Sequence, residues 1–287
     1  MHLHLPRGSC SIPAPSGLER IALARRLVLI TGASSGIGLS FARTFAAQGW
    51  DVALTARRAE RLEKLVEEIR LRFGVEAHAL PADLGDPAAP ENLQKGILAL
   101  GRGVDGLVNN AGYGQPGGFI ANSLENHRAF LQVMMLAPTE LIQRFVPGMI
   151  EQKFGRIINV ASLAGYLPAS PGDTLYGPVK TYLTRFSQSL HLEVRDHGVH
   201  VTALCPGWTY SEFHDVIGTR SKLSQAIPRW AWMGADEVAR EGYMAVEANR
   251  AACVPGAPNK AIAALLKVLP DDWVMEFASG QLRKIHR

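Results

Sequence analysis

From Arg26 onward the chain alternates two hydrophobic patterns. Short unbroken apolar runs read as strands covered on both faces, and longer stretches with apolar residues every three or four positions read as helices. Arg26 to Gly32, RLVLITG, is the first such run, stopped by glycine. Leu39, Phe41, Ala42, Phe45 and Ala46 then form a helical stripe that ends at Gly49. The same reasoning predicts a strand at Asp51 to Ala56, a charged helix from Arg58 to Phe73, and a third strand ending at Asp83. It continues with a helix around Pro90 to Leu100, a strand at GLVNNAG, and one long helix from about Leu124 to Gln152. The strand GRIINVAS, a helix from Thr174 to His197 and the strand VHVTALCPG complete the regular part. Beyond it the pattern predicts a helix over Gly234 to Asn249 capped near Asp236, and a final strand in AACVPG with Cys253 buried.

Six alternations of apolar strand and helix predict an α/β architecture: a single-domain Rossmann fold, a doubly wound parallel sheet of about seven strands with helices on both faces. Such a sheet delivers the C-terminal ends of its strands to one edge, where ligands bind. The organisation expected is an N-terminal extension over residues 1–24, the domain over 25–257, and a helical extension over 258–287. Within the domain, residues 208–235 are read as a substrate lid.

Composition changes this picture little. Apolar residues make up 47% and charged residues 20% of 287, enough for a substantial core. The net charge of +4 is scattered, which suits anionic ligands and gives no argument for nucleic acid. Cys10, Cys205 and Cys253 are too few and too widely spaced for a disulfide framework or a zinc site, so a reducing cytoplasm and no metal are expected. No apolar run approaches the roughly 18 residues of a membrane span, and the N-terminus lacks the apolar core of a signal peptide.

The chemistry lies just after the strands. TGASSGIG, Thr31 to Gly38, follows the first strand and opens a helix. Gly32, Gly36 and Gly38 let the backbone turn and approach a pyrophosphate, with helix N-terminal amides offered to the charge. After the second strand, where an acid would hold the ribose hydroxyls of NAD, stand Ala56, Arg57 and Arg58. A guanidinium grips a 2′-phosphate, so the cofactor expected is NADP(H), with Arg57 as the contact. Farther on, Tyr176 precedes Lys180 by one helical turn, and Ser162 ends the preceding strand. A lysine cation beside a tyrosine favours tyrosinate and makes it usable as general acid or base. Ser162 can hold the substrate oxygen against it.

Together TGASSGIG, NNAG (Asn109 to Gly112), Ser162 with Tyr-x-x-x-Lys, and Pro206-Gly207 resemble the short-chain dehydrogenase/reductase family over roughly Arg25 to Val254. The resemblance implies hydride transfer between nicotinamide and a carbonyl or alcohol carbon, and a homodimer or homotetramer. It implies a cofactor lined by Gly32, Ser34, Ser35, Gly36, Ile37, Gly38, Asn109, Ala111 and Gly112, with Asp83 and Leu84 at the adenine. Tyr176 and Lys180 would reach the nicotinamide ribose, Pro206 and Gly207 would shape the nicotinamide pocket, and Ser211 would touch its carboxamide.

One position departs from the family's pattern. Ungapped counting puts Met134 where an asparagine bends the long helix and holds a relay water behind the lysine. Three readings stay open: Gln132 or Thr139 holds the water, the helix differs locally around Pro138, or turnover is compromised. Trp208, Tyr210, Phe213, Trp230 and Trp232 in the lid either line an apolar pocket or bury themselves as core. The function expected is an NADPH-dependent carbonyl reductase acting on a small-molecule carbonyl or alcohol, an acyl thioester among the candidates. The alternatives are a dehydrogenase of a 3-hydroxy acid or small alcohol, and a catalytically weak NADP(H)-binding scaffold. The amphipathic C-terminal stretch is expected to pack on the domain or a dimer mate rather than on a membrane.

Overall fold

The computed structural model describes residues 25–115, 117–169, 174–212 and 227–276. The N-terminal extension, Cys10, Phe213 and the basic tail Gln281 to Arg287 lie outside the described residues. The apolar runs become strands β1 (Leu27–Thr31), β2 (Asp51–Thr55), β4 (Gly106–Asn109), β5 (Gly155–Val160) and β6 (Val199–Leu204), with β3 (Ala77–Ala79) and β9 (Ala252–Cys253) at the margins. All seven pair in parallel in the order β3-β2-β1-β4-β5-β6-β9. Every residue of β1, β2, β4 and β5 is buried, as their unbroken apolar pattern requires.

The connecting helices are α1 (Gly36–Ala47), α2 (Ala59–Phe73), α3 (Ala89–Ala99), α4 (Leu124–Leu131), α5 (Ala137–Glu151) and α6 (Tyr176–Val194). After a short parallel ribbon of β7 (Thr209–Tyr210) and β8 (Met233–Gly234) come α7 (Ala235–Glu247) and α8 (Ala257–Leu265). Phe41, Phe45, Leu62, Ile69, Val238 and Val246 pack α1, α2 and α7 on one face of the sheet. Leu93, Ile97, Leu141, Phe145 and Val194 pack α3, α5 and α6 on the other. Each such fully buried side chain contributes about 1.5–3 kcal/mol, which makes the two layers the main source of stability.

Three expectations are corrected. The third strand stops at Ala79 rather than Asp83. Pro81 has no N–H to give the ladder, although Leu80 and Ala82 still donate to the Leu54 and Ala56 carbonyls. The long helix is broken into α4, a π turn over Gln132–Leu136, and α5. Pro138 cannot donate to the Met134 carbonyl and its ring would crowd that oxygen, so the widened turn lies immediately before it, closed by Ala137 N–H to the Gln132 carbonyl. Asp236 does not cap α7, whose N-cap is Gly234. Its carboxylate accepts from Ser40 Oγ at 2.5 Å and ties α7 to α1. Cys253 is 8% exposed, buried as expected.

The strand order reverses between β1 and β4. Their C-terminal ends therefore open a crevice with no crossing connection above it, bordered by Thr31 and Gly32 on one side and Asn109 to Gly112 on the other.

Candidate active site

The glycine turn is held open by β4. Thr31 Oγ1 accepts the N–H groups of Asn110 and Ala111, each at 2.9 Å, and Asn110 Nδ2 donates to the Thr31 carbonyl at 2.9 Å. Gly32 has φ +66°, and a Cβ there would meet Ala111 Cα at 2.9 Å. A Cβ on Gly38 would collide with the Gly32 carbonyl and the Asn110 amide. The backbone thus lies where only glycine fits, and Ser35, the N-cap of α1, makes no side-chain cap bond. The first-turn amides of α1 are left facing the crevice, the donor set a pyrophosphate takes. These features fit a dinucleotide. Sequence reasoning missed Thr31 and Asn110; the hydroxyl at a strand's last residue and the second asparagine of NNAG were the signals.

The other expected cofactor residues are placed unevenly. Asn109 borders the crevice only through its backbone: the residue is 4% exposed and its side chain donates to Asn159 Oδ1 at 2.9 Å and the Pro138 carbonyl at 3.4 Å, joining β4 to β5 and α5. The Leu84 side chain belongs to the core, so only its backbone can border a ligand. Asp83 is exposed and accepts from Gly85 N at 2.9 Å. Its charge and that of Arg57 both act on Tyr113, whose hydroxyl is raised chiefly by burial. Arg57 and Asp83 therefore both lie near enough to Tyr113 for their charges to be felt there. Arg58, not Arg57, reaches the glycine turn: Nη2 donates to Ser34 Oγ at 2.9 Å and to Ser35 Oγ at 3.1 Å. Ser211 lies over Gly36, where a Cβ would come within 2.9 Å of Ser211 Cβ.

Tyr176 is the first residue of α6, which places Pro178 in the first turn, where the missing N–H has no helical partner to lose. Lys180 lies one turn on, 5% exposed, with Nζ donating to the Val160 carbonyl at 2.8 Å and standing 5.6 Å from the Tyr176 ring centroid. Burial pushes the ammonium down to about 8, with the buried Cys205 pulling weakly the other way. Ser162 follows β5 and caps the 3-10 turn Leu163–Tyr166; its Oγ accepts from Ala164 N at 3.1 Å, which leaves the hydroxyl proton to donate elsewhere. That turn is set against α6 by close backbone approach. A Cβ on Gly165 would lie 2.9 Å from the Lys180 carbonyl, and Thr181 Oγ1 donates to the Gly165 carbonyl at 3.0 Å. Leu163 N donates to the Pro206 carbonyl at 2.8 Å, so Pro206 anchors the same turn. Gly207 packs on the buried Asn259 of α8. Tyr166 is a poor rival for Tyr176, since burial pushes its phenol up to about 12.

Met134 is 1% exposed, clustered with Phe130 and Val179, and its sulfur lies against Gly112. Thr139 is committed to the Met135 carbonyl and Tyr182 Oη. Gln132 is buried with Nε2 unbonded among the described residues. On the substrate side a narrow cleft beside Tyr176 is lined by Gln115, Phe119, Asn122 and His127, with Phe119 stacked on His127 at 4.5 Å. In the described part of the expected lid, Tyr210 stacks on Trp232 and Trp208 meets the same ring at a tilt of 40°.

A doubly wound sheet, a glycine turn at its switch point and a serine, tyrosine and lysine gathered at the next strand ends define a Rossmann-type oxidoreductase. The chain belongs to the short chain dehydrogenase family, whose profile matches residues 26–221. It is 35% identical over 237 residues to nodulation protein G of Rhizobium sp. (strain N33), covering 82% of this chain and 94% of that one. It is 31% identical over 221 residues to a 3-oxoacyl-acyl-carrier-protein reductase of Aquifex aeolicus, covering 76% and 89%. Among solved structures, a short-chain dehydrogenase from Sphingobium yanoikuyae in complex with NADPH superposes with a TM-score of 0.73 at 30% identity, covering 85% of this chain and 96% of that one. A bulky-bulky ketone specific alcohol dehydrogenase from Comamonas testosteroni gives 0.70 at 25% identity, covering 86% and 96%.

Proposed function

We propose that the protein is an NADPH-dependent carbonyl reductase in which Tyr176 is the general acid. The observation that carries this reading is the buried Lys180 ammonium one turn from Tyr176, on a helix pinned through Gly165 to the turn that bears Ser162. The similarity to the NADPH-bound short-chain dehydrogenase from Sphingobium yanoikuyae supports the cofactor. When bound, NADPH supplies hydride to the carbonyl carbon. Gly32, Ser34, Ser35, Gly36, Ile37 and Gly38 cradle its pyrophosphate, Arg57 and Arg58 meet its 2′-phosphate, and Asp83, Ala111, Gly112, Pro206, Gly207 and Ser211 border the rest. Asn109 acts from behind, by fixing β4.

Ser162 donates its hydroxyl proton to the substrate oxygen and holds that oxygen at Tyr176. Tyr176 Oη then gives its proton to the developing alkoxide. Lys180, charged at neutral pH, lowers the cost of the tyrosinate that remains; the same arrangement takes the proton from an alcohol in the reverse direction. Phe119 in the cleft beside Tyr176, and the aromatic cluster of Trp208, Tyr210 and Trp232 after β6, favour a bulky apolar ketone or 3-oxoacyl thioester. The position of β9 at the edge of the sheet, with exposed Met244, Ile262 and Leu265 on α7 and α8 beside a groove of about 450 Å³, supports a homodimer or homotetramer. The free thiols Cys205 and Cys253 suit a reducing cytoplasm.

The test is NADPH oxidation against ketones, aldehydes and 3-oxoacyl thioesters, with Tyr176→Phe as the blank. Turnover on at least one class, lost by about 10²-fold or more in the variant, is the expected result. Equal rates for variant and wild type would sink the mechanism. The apolar surroundings of Met134 favour a second reading, a cofactor-binding scaffold of weak activity, which cofactor binding without turnover on any class would establish.

A further inference from the structure

Two guanidiniums and two hydroxyls converge beside the glycine turn, and a carboxylate of this same chain sits between the cations. Glu212 Oε2 accepts from Arg58 Nη1 at 2.9 Å, and Oε1 accepts from Arg61 Nη1 at 2.6 Å. Arg58 at the same time holds Ser34 and Ser35. Arg58, the N-cap of α2, and Arg61 stand three residues apart and so share one side of its first turn. These two hydrogen bonds hold the Glu212 carboxyl below the usual carboxylate range. Two guanidiniums, each giving one Nη1 to the carboxylate, thus stand together, a cation pair whose charge suits a doubly charged phosphate monoester better than one carboxylate.

We propose that Glu212 is the resident anion of the 2′-phosphate pocket, a specificity-determining residue that holds Arg58 and Arg61 in place and yields both to the cofactor's phosphate. This rests on the reading above that the cofactor is NADP(H). Two anions cannot share the two guanidiniums, because a dianion placed beside the carboxylate repels it. Phosphate binding thus releases Glu212 and loosens the short segment that packs Ser211 on Gly36. A cofactor without the 2′-phosphate leaves the pair intact. Glu212 therefore lowers affinity only for ligands that carry a 2′-phosphate, and Arg61 is a further arm of the pocket, beside Arg57 and Arg58, that the position after β2 does not reveal.

The test is calorimetric titration of 2′,5′-ADP and 5′-AMP into wild type, Glu212→Gln and Arg61→Met. Glu212→Gln is expected to bind 2′,5′-ADP about 5-fold more tightly and Arg61→Met about 5-fold more weakly, the size of one exposed ion pair, with 5′-AMP unchanged in both. If wild type prefers 2′,5′-ADP but Glu212→Gln binds it no more tightly, or shifts 5′-AMP equally, the proposal falls alone. If wild type binds the two nucleotides equally, the NADP(H) reading falls and the proposal with it.

Discussion

Lys180 shows what the site costs the fold. Its ammonium is 5% exposed, and its bond to the Val160 carbonyl replaces only part of its lost hydration. The folded value of about 8 lies below the reference 10.5. Below pH 8 both folded and unfolded lysine are charged, and the full penalty is present. Between 8 and 10.5 the folded form sheds its proton first, the unfolded form binds more protons, and stability rises with pH. Lys180→Met lacks this group, so its stability relative to wild type should fall by up to roughly 3 kcal/mol between about pH 7 and pH 10.5. Urea unfolding at both pH values checks it; a difference that does not move with pH would show that the lysine is not desolvated. Met134 presents the opposite case, an apolar side chain where the family's pattern has a polar one. Met134→Asn should raise turnover or shift its pH profile while costing about 1–3 kcal/mol, because it buries an amide against Phe130 and Val179. Steady-state rates across pH, with a thermal melt alongside, read both; unchanged rates and profile would make the missing asparagine irrelevant. Residue identity was legible for Ser162, Tyr176, Lys180 and the glycines, since each type is bound to its chemistry. Arg61 and Glu212 were not, because a partner 151 residues away leaves no local trace.

Elements read well from the sequence where one cause governs them. The central strands have apolar residues on both faces, and that pattern has one structural solution. Reading failed where two causes compete. Continuous apolar spacing from Leu124 argued for one helix, but the missing N–H of Pro138 opened a π turn inside it. Asp236 had the right type and place for a cap, yet Ser40 of a helix distant in sequence took its carboxylate. No local pattern marks Gly165. In the structure it sets the gap between the Ser162 turn and α6, for a Cβ would press on the backbone of Lys180 and Thr181. Gly165→Ala should therefore move Tyr176 away from Ser162, cutting kcat by about 10²-fold at a stability cost of about 1–3 kcal/mol. Binding of 2′,5′-ADP, made by other elements, should be kept. Turnover equal to wild type would show that the helix can move without consequence.

Across the whole molecule, the two ends of the sheet have different tasks. The C-terminal end carries the crevice; the N-terminal end carries the ties. Asp51, its side chain 3% exposed, accepts from Glu76 N at 2.8 Å and from Arg102 Nη1 at 3.1 Å, and Arg102 also donates to the Arg25 carbonyl. Asp105 accepts from Leu27 N at 2.8 Å. Strands β1 to β4 are thus laced together at the end remote from the chemistry. Asp51→Ala should cost about 1–3 kcal/mol, since it removes the buried acceptor of Glu76 N and one of the acceptors of Arg102, which keeps Glu76 and the Arg25 carbonyl, while turnover per folded molecule stays at the wild-type value. Denaturant unfolding and active-fraction kinetics separate the two; a matching loss of turnover would refute the division. The π turn over Gln132–Leu136 has a consequence for descent. A π turn holds one residue more than an α turn in its place. A lineage can thus gain or lose a codon there, absorbed inside the helix, while β4 and β5 on either side stay in register. The wall behind the lysine can be rewritten by inheritance in single steps, without any change to the sheet.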